Sequence, residues 1–192
     1  MAGTASPQDR AAIVRAAIAL IGRHGSAAVE DVLRAARVNR RTFYRYFATK
    51  DALLAALAEQ GAADIGQVLA AAVTADPAAI AAEAWVEHYL ALVGEGRPTG
   101  AVVAFLAPDA TAGAPVIAVI EDGHEHHRAL LADVLRRGRA DASLPGADPD
   151  PDAFAVHAAV LRHVQLLLRG RSRTDLAGAR ASVTGVLRRL GG

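Results

Sequence analysis

The sequence of 192 residues contains no cysteine, which excludes disulfide bonds, thiolate metal ligands and cysteine nucleophiles. Aromatic residues make up only 4% of the chain, and lysine occurs once, as Lys50. No apolar run reaches the roughly 18 residues that a membrane span needs, because Pro108, Asp109 and Pro115 interrupt the best candidate, residues 101–120. No signal peptide is recognisable at the N-terminus either. We therefore expect a soluble protein that works in the cytoplasm.

Alanine is the most abundant residue, at about a quarter of the chain, and 53% of the residues are hydrophobic. Alanine is the best helix former and is depleted in strands, so the composition predicts an all-α fold. The net charge of +1 and the high apolar content argue against disorder.

Helix start and stop signals divide the chain into about nine helices. The predicted N-caps are Ser6, Asn39, Thr49 and Asp76, together with a capping box at Ser172–Asp175. The predicted helices span about residues 7–24, 27–36, 40–47, 50–70, 77–94, 99–107, 115–138, 151–169 and 175–190. No hairpin pattern with alternating apolar residues accompanies them.

Positive charge is concentrated in one part of the chain. Residues 1–60 carry nine basic and five acidic side chains, and residues 34–50 carry six basic and no acidic side chains. A local basic patch on a nearly neutral protein indicates a polyanionic partner such as DNA, although a solvated helix face would give the same pattern.

The basic segment has the pattern of a helix-turn-helix, because two short predicted helices are joined by about three residues. Phe43 and Phe47 are four residues apart and can both point into a core. The outward-facing candidates for base contacts are Arg40, Arg41, Thr42 and Arg45. An arginine fork can bind guanine O6 and N7 or a phosphate, and the hydroxyls of Tyr44 and Tyr46 are candidates for phosphate contacts.

The segment from Asp9 to Glu59 resembles the TetR family of transcriptional regulators. The similarity is strongest in Val29-Glu30-Asp31-Val32 and in the string Thr-Phe-Tyr-Arg-Tyr-Phe-Ala-Thr-Lys-Asp-Ala-Leu-Leu at residues 42–54. The resemblance implies a DNA-binding domain at residues 1–50, a connecting fourth helix at about 50–70, and an effector-binding and dimerisation domain at 51–192. It also implies that Lys50, with Tyr44 and Tyr46, contacts DNA phosphates. The expected function is that of a repressor, which a small-molecule effector releases from a palindromic operator.

Two positions depart from the family's pattern. Arg37 occupies the helix-turn-helix turn where the family usually has glycine, so we expect a left-handed backbone there at a cost of about 1 kcal/mol. Ala28 stands where relatives often have a capping Thr or Ser, which leaves Ser26 as the candidate cap of the second helix.

The C-terminal two-thirds match the family only in helix number and length. The eighth and ninth helices carry apolar residues on more than one side, which is typical of an isologous four-helix dimer interface. A helix pair buried within one monomer would give the same pattern. The candidate residues of the effector pocket are Trp85, His88, Tyr89, Phe105, His124, His127, Arg162, His163 and Gln165.

An alternative function follows from Glu121, His124 and His127, which share one face of the seventh helix at a spacing that a divalent metal could use. The alternative is a metal-responsive regulator or a metal-binding protein. A further alternative is a nucleoid-type protein that binds DNA without sequence preference. The chain lacks H-E-x-x-H, G-x-S-x-G, Walker and dinucleotide-binding motifs, so we predict neither enzymatic activity nor a cofactor.

Overall fold

Helix boundaries follow from local caps and from the spacing of the apolar residues. The structure is a computed structural model that describes residues 7–94, 98–170 and 175–191, and within these ranges the chain forms nine helices and no strand. The helices are α1 (Pro7–His24), α2 (Val29–Ala36), α3 (Arg40–Tyr46), α4 (Lys50–Ala72), α5 (Ala78–Gly94), α6 (Gly100–Leu106), α7 (Ala114–Ala140), α8 (Pro149–Leu168) and α9 (Leu176–Leu190). The prediction of an all-α fold with about nine helices is therefore confirmed.

Side-chain caps fix the starts of several helices. Asn39, Thr49 and Asp175 each accept a hydrogen bond from the backbone N–H three residues later, at 2.8, 3.0 and 2.8 Å. These bonds satisfy N–H groups that have no partner inside the helix. The other predicted cap residues, Ser6 and residues 172–174, lie outside the described residues.

Two predicted caps are wrong. The start of α5 is capped not by Asp76 but by the loop between α7 and α8, because the N–H of Ala78 donates to Asp141 Oδ2 at 3.0 Å. Ser26 does not cap α2, since the N-cap residue is Ala28 and no side chain bonds to that helix end. The boundaries of every helix except α1 differ by one or two residues from the predicted ones.

The turn between α2 and α3 depends on Arg37, which has φ 55° and ψ 39°. This left-handed conformation confirms the expectation for a position where the family usually has glycine. The N–H of Val38 donates to the carbonyl of Leu33 at 3.1 Å, which closes α2 as in a Schellman motif. The turn therefore fixes where α3 begins.

The described residues form two compact units. The first comprises the described parts of Met1–Ala62 and Pro98–Glu121, and the second those of Ala63–Arg97 and Asp122–Gly192. The functional division at residue 50 stays a prediction, because compactness does not reveal which residues carry which function. None of the described helices combines the length and the apolar character needed to cross a membrane.

The first unit packs α1, α2, α3 and part of α4 around one core. Its buried residues include Ile13, Ala17, Ile21, Val32, Phe43, Phe47, Leu53 and Leu57. Glycines let the backbone of α6 approach its neighbours closely: a Cβ atom at Gly100 would lie 2.0 Å from the carbonyl oxygen of Ile18 in α1, and one at Gly61 would lie 2.2 Å from that of Ala101. No side chain therefore separates α1 from α6 at this crossing.

The second unit packs α5, α8 and α9 together with most of α7. Its buried residues include Trp85, Tyr89, Leu90, Leu131, Leu135, Val156, Val160, Val164, Val183 and Leu187. His127 and His157 are also buried, at 0% and 7% exposure, and they are the two polar residues in the buried class among the described residues. Because buried imidazoles need a chemical explanation, they are candidates for a functional site.

Candidate functional site

The helix α3 is held by two buried phenylalanines. Phe43 and Phe47 are 0% and 3% exposed, and their ring centroids lie 5.9 Å apart. The guanidinium of Arg10 lies 5.5 Å from the centroid of the Phe47 ring, within the range of a cation–π contact. The inward side of this short helix is therefore fixed, and its other side is left for solvent or a partner.

The outward side of α3 carries the residues that the sequence singles out for DNA contacts. Arg40, Arg41, Tyr44 and Arg45 are exposed, whereas Thr42 and Tyr46 are half-buried. The structure thus brings the proposed base contacts and both tyrosines onto one short helix, with Lys50 beginning the next one.

The arginines on the outward side of α3 differ in whether they form an ion pair within the protein. Arg40 Nη2 lies 2.5 Å from Glu30 Oε1 in α2, so its guanidinium is already engaged within the protein. Arg41 and Arg45 form no ion pair with any described residue. We therefore regard these two as the stronger candidates for direct base contacts.

Lys50 also has an intramolecular partner. Its Nζ lies 4.0 Å from Oδ2 of Asp109, in the loop between α6 and α7. Hydrogen bonds from the backbone N–H and the hydroxyl of Thr111 lower the pKa of the Asp109 carboxyl, and the positive charge of Lys50 acts in the same direction. The carboxylate facing Lys50 is therefore ionised at neutral pH.

A second candidate site is formed by five side chains of the second unit: Trp85, Tyr89, His124, His127 and His157. The centroid distances are 4.9 Å for Trp85–Tyr89, 5.8 Å for Tyr89–His127, 5.9 Å for Trp85–His157 and 5.2 Å for His124–His157. A hydrogen bond of 3.0 Å joins the Tyr89 hydroxyl to Nδ1 of His127. We call this group the histidine–aromatic cluster.

Burial keeps the imidazoles of His124 and His157 and the phenol of Tyr89 uncharged at neutral pH. Burial lowers the pKa of His157 to about 3, with smaller contributions from His124, His127 and Arg128. Burial also lowers the pKa of His124 to about 4, and it raises the pKa of the Tyr89 hydroxyl. His124, His157, Tyr89 and Trp85 therefore present neutral imidazole, phenol and indole groups in a low-dielectric environment.

Nε1 of Trp85 and Nε2 of His157 are buried polar atoms of the cluster that lack a hydrogen-bond partner among the described residues. A buried polar atom without a partner is costly, so the two atoms are suited to a ligand that offers a complementary polar group. An uncharged aromatic molecule with a hydroxyl or carbonyl group matches this chemistry.

The remaining pocket candidates lie in different surroundings. His88 is exposed, and its Nδ1 bonds at 2.7 Å to the carbonyl of Ala84 in its own helix. Arg162 is exposed, and His163 and Gln165 are half-buried. Phe105 is buried on α6, which belongs to the first unit.

His157 is a cluster member that the sequence analysis missed. It follows Val156 on the buried side of α8, where Ala153, Val160 and Val164 recur at helical spacing. That spacing was visible in the sequence, and it places an imidazole on an apolar face.

The metal-binding alternative is not supported. Across the described ranges, no group of three His, Asp or Glu side chains is placed to hold a metal ion. The physical reason is that His127 bonds to Tyr89 and His124 packs against His157, whereas Glu121 is exposed. The three residues share a helix face without converging on one point.

Comparison with known proteins agrees with the geometry of α2 and α3. Residues 13–57 match the family model of bacterial regulatory proteins, tetR family. No curated protein sequence matches the chain. The fold is similar to that of reduced NemR from E. coli, with a TM-score of 0.76 and 21% identity over 92% of this chain and 95% of that one.

Two further solved structures have bound molecules. AibR in complex with isovaleryl coenzyme A and operator DNA has a TM-score of 0.71 and 21% identity, and the match covers 93% of this chain and 96% of that one. The SmeT–triclosan complex has a TM-score of 0.74 and 23% identity, with coverage of 94% and 90%.

A short basic helix on a helix-turn-helix scaffold is typical of proteins that read the major groove of DNA. Residues 13–57 of this chain are similar to the tetR family of bacterial regulatory proteins, and the fold of the chain is similar to that of a TetR-family transcriptional regulator from Agrobacterium tumefaciens.

Proposed function

We propose that the protein is a homodimeric repressor that binds a palindromic operator in the cytoplasm and is released from it by a small-molecule effector. The observation that carries the proposal is the exposed basic surface of α3, fixed from below by Phe43 and Phe47 and followed by Lys50. The proposal includes no catalytic step.

In this proposal Arg41 and Arg45 contact base edges in the major groove, and Thr42 and Arg40 assist them. Tyr44, Tyr46 and Lys50 contact phosphates, which fixes the position of α3 without selecting a sequence. Two copies of α3 must lie about 34–36 Å apart to enter successive major grooves on one face of the duplex. An effector that binds better to a dimer with another spacing lowers operator affinity by that difference in free energy.

The dimer is supported by apolar surface that a single chain leaves uncovered. Phe154 on α8 is 61% exposed, and Ala158 on the same side of the helix is also exposed. The opposite side of α8 is already buried by Val156, Val160 and Val164. A pair of helices buried within one monomer does not account for this second face, whereas an isologous contact through α8 and α9 does.

The effector site is proposed at the histidine–aromatic cluster. Solved structures of similar fold contain isovaleryl coenzyme A or triclosan. Of these two chemistries, the second fits better, because an uncharged aromatic hydroxyl compound matches the neutral groups at Trp85 Nε1 and His157 Nε2 without burying a charge.

We expect substitutions on the DNA surface to separate base contacts from phosphate contacts. Footprinting on genomic fragments identifies a protected site, and binding to this site is then measured against salt. Arg41→Ala should cost about 1–3 kcal/mol and relax the preference at one base pair. Lys50→Ala should weaken binding to all sequences equally and lower the salt slope by about one.

The control for this experiment is Arg139→Ala, which removes one positive charge from an exposed position on α7 in the other unit. It should leave the base preference unchanged. A folded protein that protects no genomic fragment would contradict the proposed function.

The effector site can be tested through Trp85, because it is the only tryptophan of the chain. Triclosan should change its fluorescence and weaken DNA binding, and His157→Phe should reduce the triclosan affinity about tenfold, since one hydrogen bond is lost. Isovaleryl coenzyme A should bind more weakly than triclosan. The matched control His126→Gln changes an exposed histidine of α7 and should have no effect. If coenzyme A binds better than triclosan, the proposed effector chemistry is wrong.

A further inference from the structure

The ammonium group of Lys50 faces a carboxylate in the absence of DNA. Its Nζ lies 4.0 Å from Oδ2 of Asp109, and the two side chains are 38% and 29% exposed. Both residues line a small cleft of the first unit, together with Ile21, Leu54 and Val116. The partner of Lys50 is therefore part of the fold and does not belong to a freely rotating surface group.

Asp109 is held in place by its own loop. Its Oδ1 accepts hydrogen bonds from the N–H and the hydroxyl of Thr111, at 2.9 and 2.8 Å. The same loop lies directly against the first turn of α4, since a Cβ atom at Gly113 would be 2.2 Å from Oδ2 of Asp51. Because the carboxylate cannot swing away freely, it stays beside any anion that approaches Lys50.

A phosphate bound to Lys50 would lie within about 7 Å of the Asp109 carboxylate, which is inside the screening length of about 10 Å at 0.1 M salt. We propose that Asp109 competes with DNA phosphate for Lys50, so that the position of the α6–α7 loop sets the affinity for DNA. This inference rests on the proposed function, because it assumes that Lys50 contacts DNA.

The test is the affinity of the full chain for a random-sequence duplex of about 30 base pairs, measured by fluorescence anisotropy at 50 mM and 300 mM NaCl. A random duplex suffices because a phosphate contact is independent of sequence. Asp109→Asn should bind about three- to fivefold more tightly at 50 mM NaCl, and the gain should shrink at 300 mM. Asparagine keeps the oxygen that accepts from Thr111, so the turn is retained. In a Lys50→Met background, Asp109→Asn should give no gain.

Two control variants separate the charge of Asp109 from other effects. Thr111→Ala removes the hydroxyl bond to Asp109 but leaves the carboxylate, and it should not raise DNA affinity. Glu59→Gln removes a negative charge from an exposed position on α4 and should have less effect than Asp109→Asn. An unchanged affinity of Asp109→Asn, or a gain that persists with Lys50→Met, overturns the inference. If the wild-type chain binds neither this duplex nor any genomic fragment, the proposed function fails and the inference fails with it.

Discussion

The free energy of unfolding should fall by about 2 kcal/mol through His157 alone when the pH is lowered from 7.5 to 5. The pKa of His157 is about 3 in the folded protein, against 6.5 for an ordinary histidine. Below pH 6.5, His157 therefore binds a proton in the unfolded chain but stays neutral in the folded chain. The contribution of neutral His157 to the free energy of unfolding is fully present above pH 6.5, and it is lost as the pH falls toward 3. Denaturant unfolding at a series of pH values measures this slope.

His157→Gln should remove the His157 share of the measured pH dependence, because glutamine does not titrate, while the share of His124, whose pKa burial lowers to about 4, should remain. His126→Gln, on the exposed side of α7, should leave the slope as it is in the wild-type protein. The imidazole resonance of His157 provides a second measurement, which does not require the variant to fold. A histidine signal assigned to residue 157 that titrates near pH 6.5 would contradict the burial of this side chain.

Gly100→Ala should destabilise the first unit by about 3 kcal/mol, because it places a Cβ atom against the backbone of α1. That atom would lie 2.0 Å from the carbonyl oxygen of Ile18, and a backbone atom cannot move aside as a side chain can. Thermal unfolding should show a decrease in Tm of about 6–12 °C. DNA binding should weaken as well, since α1 packs against α3 and supports its position.

The matched control is Gly22→Ala, on the α1 side of the same helix crossing. A Cβ atom there would lie 3.4 Å from the backbone nitrogen of Gly100, which is an ordinary contact. Because alanine also favours helix, this variant should be neutral or more stable by about 0.5 kcal/mol. Equal losses of stability in the two variants would mean that the close approach of α6 to Ile18 is incorrect.

Local signals were sufficient to predict which residues of α3 face outward. Asn39 is a strong N-cap residue, and Phe43 and Phe47 are one helical turn apart, so the sequence determines both the start of α3 and its buried side. The left-handed turn at Arg37 followed from the family pattern in the same way. Interactions between residues that are a few positions apart in the sequence depend little on the rest of the fold.

Contacts between distant segments could not be predicted. The bond from Ala78 to Asp141 spans 63 residues, and it depends on how the loop after α7 returns to α5. The ion pairs Arg40–Glu30 and Lys50–Asp109 could not be predicted from the sequence either. Charged residues occur throughout the chain, and only the packing of the fold determines which of them lie close together. These pairs change the expected roles of Arg40 and Lys50, which periodicity alone presents as equivalent to their neighbours.

The occurrence of lysine at a single position has a practical consequence for labelling. Lys50 carries the only lysine amine of the chain, and its side chain is 38% exposed. An acylating reagent therefore modifies one lysine, and mass spectrometry can follow that modification without a competing lysine. Bound DNA should slow the acylation, and a protein acylated beforehand has lost the positive charge that we assign to a phosphate contact. One chemical step thus both reports occupancy of the DNA-facing surface and switches off one of its contacts.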